Sequence, residues 1–205
     1  MFNGQWSMMK YKIILASNSP RRKELLAGLD VQFEVRIIPG IDESYPETLP
    51  TMEIAEYIAQ KKAKAYRETM ADDELIITAD TIVVLDDKVL GKPKDAEEAR
   101  CMLHALSGKT HQVVTGVVLT TKELQKHFSV VSNVTFKTLS DNEIDYYVDT
   151  YKPMDKAGAY GIQEWIGYVG VTRLEGSYFN VMGLPVQRIY EAMKEFSICD
   201  GILSK

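Results

Sequence analysis

The sequence predicts an α/β fold with a mixed, twisted central sheet, flanking helices and two lobes around a cleft. Short apolar runs alternate with segments of helical spacing in the first half of the chain, whereas strand-like runs neighbour one another in the second half. The first pattern favours parallel pairing and the second favours antiparallel pairing, so the sheet should be mixed. Because no linker or internal repeat interrupts the pattern, we expect one domain over residues 10–197, an N-terminal extension over 1–9 and a C-terminal tail over 198–205.

The charge and cysteine content exclude several classes of protein. The chain has 205 residues, with 24 basic and 29 acidic side chains and a net charge of −5. This balance argues against a general nucleic-acid binder, which relies on a broad basic surface. Cys101 and Cys199 form no disulfide or zinc pattern, and no apolar run reaches the roughly 18 residues of a membrane span. We therefore expect a cytoplasmic protein that binds neither nucleic acid nor a membrane.

The first two elements are a strand over Tyr11–Leu15 and a helix that begins at Pro20 and ends before Gly28. Ser19 suits the N-cap of that helix, and proline is favoured at its first position. Further strands are predicted over Val31–Ile38, Leu75–Leu85, Lys88–Leu90, His111–Thr121, Phe128–Leu139 and Tyr168–Leu174. Further helices are predicted over Thr51–Met70, Asp95–Leu106, Ser140–Tyr151 and Pro185–Phe196. Capping boxes are predicted for two of these helices, Asp95 with Glu98 and Ser140 with Glu143.

The turn Ala16-Ser17-Asn18-Ser19-Pro20-Arg21-Arg22 places positive charge at the start of the first helix. Arg21, Arg22 and Lys23 oppose the helix macrodipole there, at a cost of roughly 0.3–1 kcal/mol each. A bound anion would reverse that cost, because free amides, the dipole and two guanidinium groups would converge on phosphate oxygens. The alternative is an exposed basic turn that pairs with surface carboxylates, and the turn alone favours neither.

Asp80 lies inside the apolar run Ile76–Val84, where an ionised carboxylate is costly unless it is paired, hydrated or bound to a metal. We predict that it is a magnesium ligand or a general base. The alternatives are a cap at a strand end or a partner for a core lysine. The functional interpretation is favoured because a hairpin returns Lys92 to the same region.

The position of Lys92 depends on the length of the hairpin turn at Asp86-Asp87. A two-residue turn would place Lys92 opposite Thr81, whereas a three-residue turn would place it opposite Ile82, on the same face as Asp80. The sequence leaves this register open. By itself, Lys92 also suits a surface position in a Gly-Lys-Pro turn.

Glu43 and Lys62 complete a candidate set of charged residues. Glu43 lies in a turn-rich loop and Lys62 on the helix that follows, and by themselves such residues are mostly solvated. Together with the two arginines, Asp80 and Lys92, they suit a magnesium-bound polyphosphate. The histidines have no metal-binding spacing, and no nucleophile, Walker A or dinucleotide motif occurs, so hydrolysis by metal-activated water is the simpler chemistry.

Several ordered segments resemble the Maf family of nucleoside triphosphate pyrophosphatases. They are Ala16–Leu26, Ala79–Val83, Gly91–Pro93, Leu106–Val113, Asp155–Gln163, and Gly176–Tyr178 with Val181–Pro185. The resemblance extends in order from about Lys12 to Phe196. It implies a fold similar to that of the inosine triphosphate pyrophosphatases.

The resemblance also implies an activity, namely cleavage of a nucleoside triphosphate to the monophosphate and pyrophosphate. It implies a divalent metal, Mg²⁺ in the first place, with Mn²⁺ or Co²⁺ as substitutes. The implied roles are phosphate binding for Ser17, Arg21 and Arg22, metal binding for Glu43 and Asp80, proton acceptance for Asp80, and charge neutralisation for Lys62 and Lys92.

Two segments of the sequence indicate which base the nucleotide substrate carries. Asp80-Thr81 and Gly161-Ile162-Gln163 resemble the subgroup that acts on dTTP and UTP, whereas the 7-methyl-GTP subgroup typically has glutamine after the aspartate and glutamate in the later loop. A glutamine amide can donate to O4 of uracil or thymine and accept from N3–H. The resemblance therefore points to Arg21, Thr81 and Gln163 as specificity residues and to dTTP and UTP as substrates.

Two other functions stay open at this point. An inosine or xanthosine triphosphate pyrophosphatase would share the fold and the reaction, but the Ser19-Pro20-Arg21-Arg22 segment argues against it. A nucleotide-binding regulator of cell division would bind without turnover, and the complete set of charged residues argues against that. The sequence leaves the oligomeric state open, including a homodimer.

Overall fold

A computed structural model describes residues 11–196, which form one seven-stranded mixed sheet with helices on both faces. The strands are β1 (Lys12–Leu15), β2 (Phe33–Val35), β3 (Glu74–Leu85), β4 (Lys88–Leu90), β5 (Thr110–Thr120), β6 (Gln125–Phe136) and β7 (Val171–Glu175). The strand order is β2-β1-β3-β5-β6-β7, and β4 also pairs with β3. β1 is parallel to β2 and β3, whereas all the other pairs are antiparallel. The predicted mixed α/β fold is confirmed.

The helices are α1 (Pro20–Ala27), α2 (Ile54–Arg67), α3 (Ala96–Leu106), α4 (Asp141–Tyr151), α5 (Trp165–Gly170), α6 (Tyr178–Met182) and α7 (Val186–Glu195). Short 3-10 turns occupy Thr51–Glu53 and Ala157–Ala159. No helix in the described part of the chain is long and apolar enough to span a membrane. The predicted extension over 1–9 and the predicted tail over 198–205 lie outside the described residues.

The core is divided by the alternation of side chains along β3. Ile76, Ile82 and Val84 point to the face covered by α2. On the opposite face, Leu75, Ile77 and Ala79 pack into a core with α1 and α7, whereas Val83 and Leu85 pack into a second core with α3 and α4. Thr81 lies between these two groups.

Local capping rules account for several helix boundaries. Ser19 caps α1 by accepting a hydrogen bond from the amide of Arg22, at 3.5 Å. The predicted capping box of Ser140 and Glu143 is present in full at the start of α4. The box at α3 is different, because the Glu98 carboxylate accepts from the amide of Lys94 instead of that of Asp95.

Other predicted boundaries need correction. The predicted strand over Val31–Ile38 is paired only over Phe33–Val35, and the helix predicted to reach Met70 ends at Arg67. The predicted strand over Tyr168–Leu174 is wrong in its first half, since Trp165–Gly170 forms α5. The aromatic and β-branched residues of this segment favour a strand, which explains the prediction. However, Ile166 and Gly170 are buried, whereas Tyr168, midway between them, is 83% exposed. A strand would place all three residues on one face, so this burial pattern suits a helix.

The hairpin after β3 has a two-residue turn. Asp86 and Asp87 both have positive φ, at 50° and 61°, and Leu85 pairs with Lys88. Continuing this register would place Lys92 opposite Thr81. Pairing ends at Leu90, however, so the following residues leave the ladder and turn towards the end of β1.

The same edge of β3 is shared by β1 and β4. β1 pairs with β3 as far as Ile77, and β4 pairs with it from Val83 onwards. Within residues 11–196, therefore, residues 78–82 have no strand partner on this edge, although β5 pairs with their other edge. This uncovered edge lies at the carboxyl end of β1, where ligands bind in many open α/β sheets.

Gly116 on β5 sets how closely α2 approaches the sheet. A Cβ atom at this position would lie 2.3 Å from the Cα atom of Glu56 and 2.4 Å from the carbonyl carbon of Ala55. Both obstacles are backbone atoms, so side-chain rotation would not relieve the clash. Only glycine allows α2 to lie at this distance.

We predict that Gly116→Ala lowers the free energy of unfolding by about 1–3 kcal/mol or more, because α2 must move away from β5. Gly91→Ala is the matched control, since nothing lies within 4 Å of a Cβ at that position. Its effect should stay within about 0.5–1 kcal/mol. Urea denaturation of both variants provides the measurement, and equal effects would contradict the packing argument.

Candidate active site

A cleft of about 500 Å³ opens beside the uncovered edge of β3. Its walls include the turn after β1, the loop that carries Glu43, the middle of α2 and the segment after β4. A smaller recess of about 120 Å³ continues from it and includes Asp80, Thr81 and Gly183. The predicted site residues that line the cleft or the recess are Ser17, Arg21, Arg22, Glu43, Lys62, Asp80, Thr81 and Lys92. Gln163 lines neither cavity.

Lys62 lies between two carboxylates. Its Nζ atom is 2.7 Å from Oδ1 of Asp80 and 2.9 Å from Oε1 of Glu43. The side chains of Lys62 and Asp80 are only 13% and 15% exposed, so each charge depends on the other for compensation. The hydroxyl of Thr78 donates to the carbonyl of Ala59, at 2.8 Å, and this bond ties α2 to β3 one turn before Lys62.

The Glu43 carboxyl is held in its ionised form. Its partial burial raises the pKa, but the hydrogen bond from Lys62 and the charges of Lys92 and Arg22 outweigh this effect and lower the pKa of Glu43 below its ordinary value. Glu43 therefore supplies negative charge to the cleft beside Lys62 and Lys92.

The donor set fits a divalent metal that is shared with a phosphate ligand. Within the described residues, no group of three or more acidic, histidine or cysteine side chains could hold a metal ion. Glu43 and Asp80 provide carboxylate oxygens, and Mg²⁺ is often held by one or two carboxylates together with substrate phosphates. The assignment of these residues as metal ligands stays a prediction.

Arg22 connects three elements through its guanidinium group. Nε donates to the carbonyl of Gly183 at 2.8 Å, Nη1 to the carbonyl of Ala79 at 2.9 Å, and Nη2 to Oγ1 of Thr81 at 3.0 Å. The Ala79 carbonyl belongs to the uncovered edge of β3, so Arg22 supplies the donor that a strand would otherwise provide. The remaining N–H donors of the guanidinium group take no part in these bonds, and Arg22 lines both the cleft and the recess. Phosphate binding by Arg22 stays a prediction.

Arg21 lines both the cleft and the recess, and it pairs with an acidic residue that the sequence reasoning did not single out. Nη1 of Arg21 is 2.8 Å from Oδ2 of Asp155. Partial burial raises the pKa of Asp155, but hydrogen bonds from Lys156 and Arg21 overcome this and lower the pKa to about 2. The buried hydroxyl of Ser17 accepts from the amide of Ser19, at 3.2 Å, which orders the turn next to Arg21.

Thr81 and Asp80 lie on opposite faces of β3, yet both border the recess. The hydroxyl of Thr81 is 3.0 Å from that of Thr115 on β5, which itself donates to the carbonyl of Asn180 at 3.2 Å. Thr81 is thus fixed by β5 and Arg22, whereas Asp80 is fixed by α2. Both reach the same space because no strand of the described part of the chain covers this edge of β3.

Gln163 lies in the loop after the 3-10 turn Ala157–Ala159. Its Oε1 atom is buried and has no hydrogen-bond partner among the described residues. The neighbouring Glu164 accepts hydrogen bonds from Tyr147 and forms an ion pair with Lys156. The resemblance included Asp155 and Lys156, but no local sequence pattern indicates their distant partners.

The chain matches the Maf family, described as "Maf-like protein", over residues 12–196. It belongs to the Maf family.

Two relatives illustrate the similarity. A protein of Phocaeicola vulgatus named dTTP/UTP pyrophosphatase is 66% identical over 189 residues, which cover 92% of this chain and 98% of the relative. A protein of the same name from Parabacteroides distasonis is 62% identical and covers 93% of this chain and 98% of its own length. Among solved structures, a HAM1 protein from Coxiella burnetii is 17% identical with a TM-score of 0.47, and the match covers 90% of this chain and 99% of that chain.

We predict that Arg22→Met lowers the free energy of unfolding by about 2–4 kcal/mol, because it leaves buried carbonyl and hydroxyl acceptors without a donor. Arg21→Met is the matched control on the same turn. Since Arg21 makes an ion pair with a largely exposed partner, its loss should change stability by about 0–1 kcal/mol. Thermal and urea denaturation measure both values. Similar losses for the two variants would show that Arg22 does not hold the elements together.

Proposed function

We propose that this Maf protein hydrolyses dTTP and UTP to the nucleoside monophosphate and pyrophosphate. The observation that carries the proposal is the convergence of Lys62, Asp80 and Glu43 with Arg21, Arg22 and Lys92 around one cleft. Relatives with 62% and 66% identity that cover almost their whole length are named dTTP/UTP pyrophosphatase, which supports the same conclusion.

The charges in the cleft suit a triphosphate. Lys92, Arg21 and Arg22 would stabilise the negative charge that develops on phosphate oxygens in the transition state. Lys62 also lines the cleft and would contribute to this stabilisation. Arg21, Arg22 and Lys62 are held by hydrogen bonds and ion pairs before substrate arrives, so little reorganisation is needed at these groups when the charge shifts.

Asp80 is the proposed proton acceptor. One of its oxygens is occupied by Lys62, and the side chain lines the recess beside the cleft. Its other oxygen can take the proton of a water molecule that attacks the α-phosphorus. Lys62 keeps the carboxylate oriented while the proton is transferred.

A divalent metal, Mg²⁺ in the first place and Mn²⁺ or Co²⁺ as substitutes, would be held by Glu43 and Asp80. When bound, it would withdraw charge from phosphate oxygens and lower the pKa of a bound water.

The proposed selectivity for thymine and uracil depends on Arg21, Thr81 and Gln163. The buried Oε1 of Gln163 can accept from the N3–H of a pyrimidine, and its amide nitrogen can donate to O4. We also propose that the protein is cytoplasmic and binds no nucleic acid, and that a homodimer is one oligomeric state that it can adopt.

The purified protein with Mg²⁺ should release pyrophosphate from dTTP and UTP faster than from ITP, XTP or 7-methyl-GTP. The reason is that the glutamine amide matches the O4 and N3–H pair of thymine and uracil. A coupled pyrophosphate assay over this nucleotide panel provides the measurement. No release from either pyrimidine nucleotide would refute the proposed function, and a preference for 7-methyl-GTP would refute the choice of base.

We predict that Asp80→Asn lowers kcat by about 10²–10⁴-fold, because the amide can still accept a hydrogen bond from Lys62 but cannot take a proton. Circular dichroism and urea denaturation should show an intact fold. Asp42→Asn is a control on the same cleft rim, since Asp42 pairs with Lys61 on the exposed side of α2. Near-normal turnover by Asp80→Asn would exclude it as the base.

A further inference from the structure

A chain of polar contacts connects the Gln163 loop with the arginine turn. It runs through the side chains of Tyr147, Glu164, Lys156, Asp155 and Arg21. Apart from Arg21, none of these side chains has a role in the proposed hydrolysis. The chain joins the segment proposed to recognise the base to the segment proposed to bind phosphate.

The first link is the hydroxyl of Tyr147 on α4. It accepts a hydrogen bond from the amide of Gly161, at 3.0 Å, and donates one to Oε2 of Glu164. Burial and the hydrogen bond to Glu164 both raise the pKa of Tyr147, so the hydroxyl keeps its proton. One hydroxyl thus holds the residues on both sides of Gln163 in place.

The second part of the chain is ionic. Lys156 is only 7% exposed, and its Nζ atom is 3.1 Å from Oε1 of Glu164 and 2.8 Å from Oδ1 of Asp155. The other oxygen of Asp155 is 2.8 Å from Arg21. A buried ammonium group needs such partners to compensate its charge, so Lys156 fixes the distance between the two carboxylates.

The Gln163 side chain has a buried acceptor that suits a donor of the ligand. Its Oε1 atom is buried without a partner in the described part of the chain, which is rare for a polar atom and suits a ligand N–H. A Cβ atom on Gly161 would lie 3.0 Å from Nε2 of Gln163 and 2.9 Å from Cδ of Glu164. The glycine therefore leaves the space that the amide and the glutamate occupy.

We propose that Tyr147, Glu164 and Lys156 are positioning residues that set the selectivity for the base. They hold the amide of Gln163 at a fixed place relative to Arg21, so that one nucleotide can meet both groups at the same time. This inference rests on the proposed function of the cleft. It assigns to α4, which lies outside the cleft, a role in choosing the substrate.

A purely structural role would give a different result. The same loop is also anchored from the core by the buried pair of His111 and Tyr160, at 2.7 Å. Losing the Tyr147 hydroxyl should therefore leave the loop folded and free only the part around Gln163. A structural role would affect every ligand of the cleft, whereas a positioning role affects only ligands with a base.

The test compares Tyr147→Phe with Tyr151→Phe. Tyr151 lies on the same helix and stacks on Tyr147, at 5.1 Å between ring centroids, but the described residues give its hydroxyl no hydrogen-bond partner. For Tyr147→Phe we expect the KM for UTP to rise about tenfold with kcat changed less than about twofold. The ratio of kcat/KM for UTP to that for GTP should fall about tenfold, and the inhibition constant of inorganic pyrophosphate should stay within about twofold. Tyr151→Phe should match the wild type.

A second variant tests the same chain of polar contacts at a residue that is partly exposed. Glu164→Ala removes the acceptor of Tyr147 and should give the same loss of selectivity with unchanged pyrophosphate inhibition. Unchanged selectivity in either variant, or a parallel rise in the inhibition constant of pyrophosphate, would overturn the inference. Absence of UTP hydrolysis by the wild-type protein would overturn the proposed function, and this inference with it, so the two failures can be told apart.

Discussion

The uncovered edge of β3 between Ile77 and Val83 is the constraint on which the site depends. β1 ends too early and β4 begins too late to cover it, while β5 keeps the other edge in the sheet. This arrangement allows Asp80 and Thr81, on opposite faces of the strand, to border one recess. It also frees the Ala79 carbonyl, which Arg22 uses to join α1 to the sheet. A longer β1 would have filled this space with a strand.

The charged groups of the cleft are held in place by the protein before a ligand binds. Lys62 has two carboxylate partners, and Arg22 has two carbonyls and a hydroxyl. Lys156, next to the cleft-lining Asp155, also has two carboxylate partners. Each arrangement offsets the cost of burying a charge. It also limits how far each side chain can move, which is the condition for electrostatic stabilisation without reorganisation.

Local sequence rules predicted the parts of the fold that depend on neighbouring residues. The caps at Ser19 and Ser140 follow from helix-capping chemistry, and the long buried strand around Asp80 follows from its apolar run. The α5 segment was mispredicted because its residues favour a strand, and its helix depends on packing against a distant core. Tertiary contacts decide such cases.

The candidate site was predictable only in part, for a related reason. The resemblance to a known family brought together residues that are far apart in sequence, such as Arg21, Asp80 and Lys92. The strand over Lys88–Leu90 was predicted with its observed end, but nothing local indicated that the residues after it would bring Lys92 into the cleft. Likewise, the ion pairs of Lys156 join residues whose spacing has no periodic pattern, so only the folded chain shows them.

The two arginines that follow Pro20 are adjacent in sequence but differ in what compensates their charge. The basic first turn of α1 initially indicated an anion at the helix start, because all its charges oppose the dipole. For Arg22 the structure supplies carbonyl and hydroxyl acceptors, and Lys23 donates to Asn18 at 3.1 Å. Among the described residues, Arg21 pairs only with the half-exposed Asp155, a partner that it can share with or exchange for phosphate oxygens. The argument for an anion at this turn therefore rests chiefly on Arg21, while Arg22 gives the turn its fixed position.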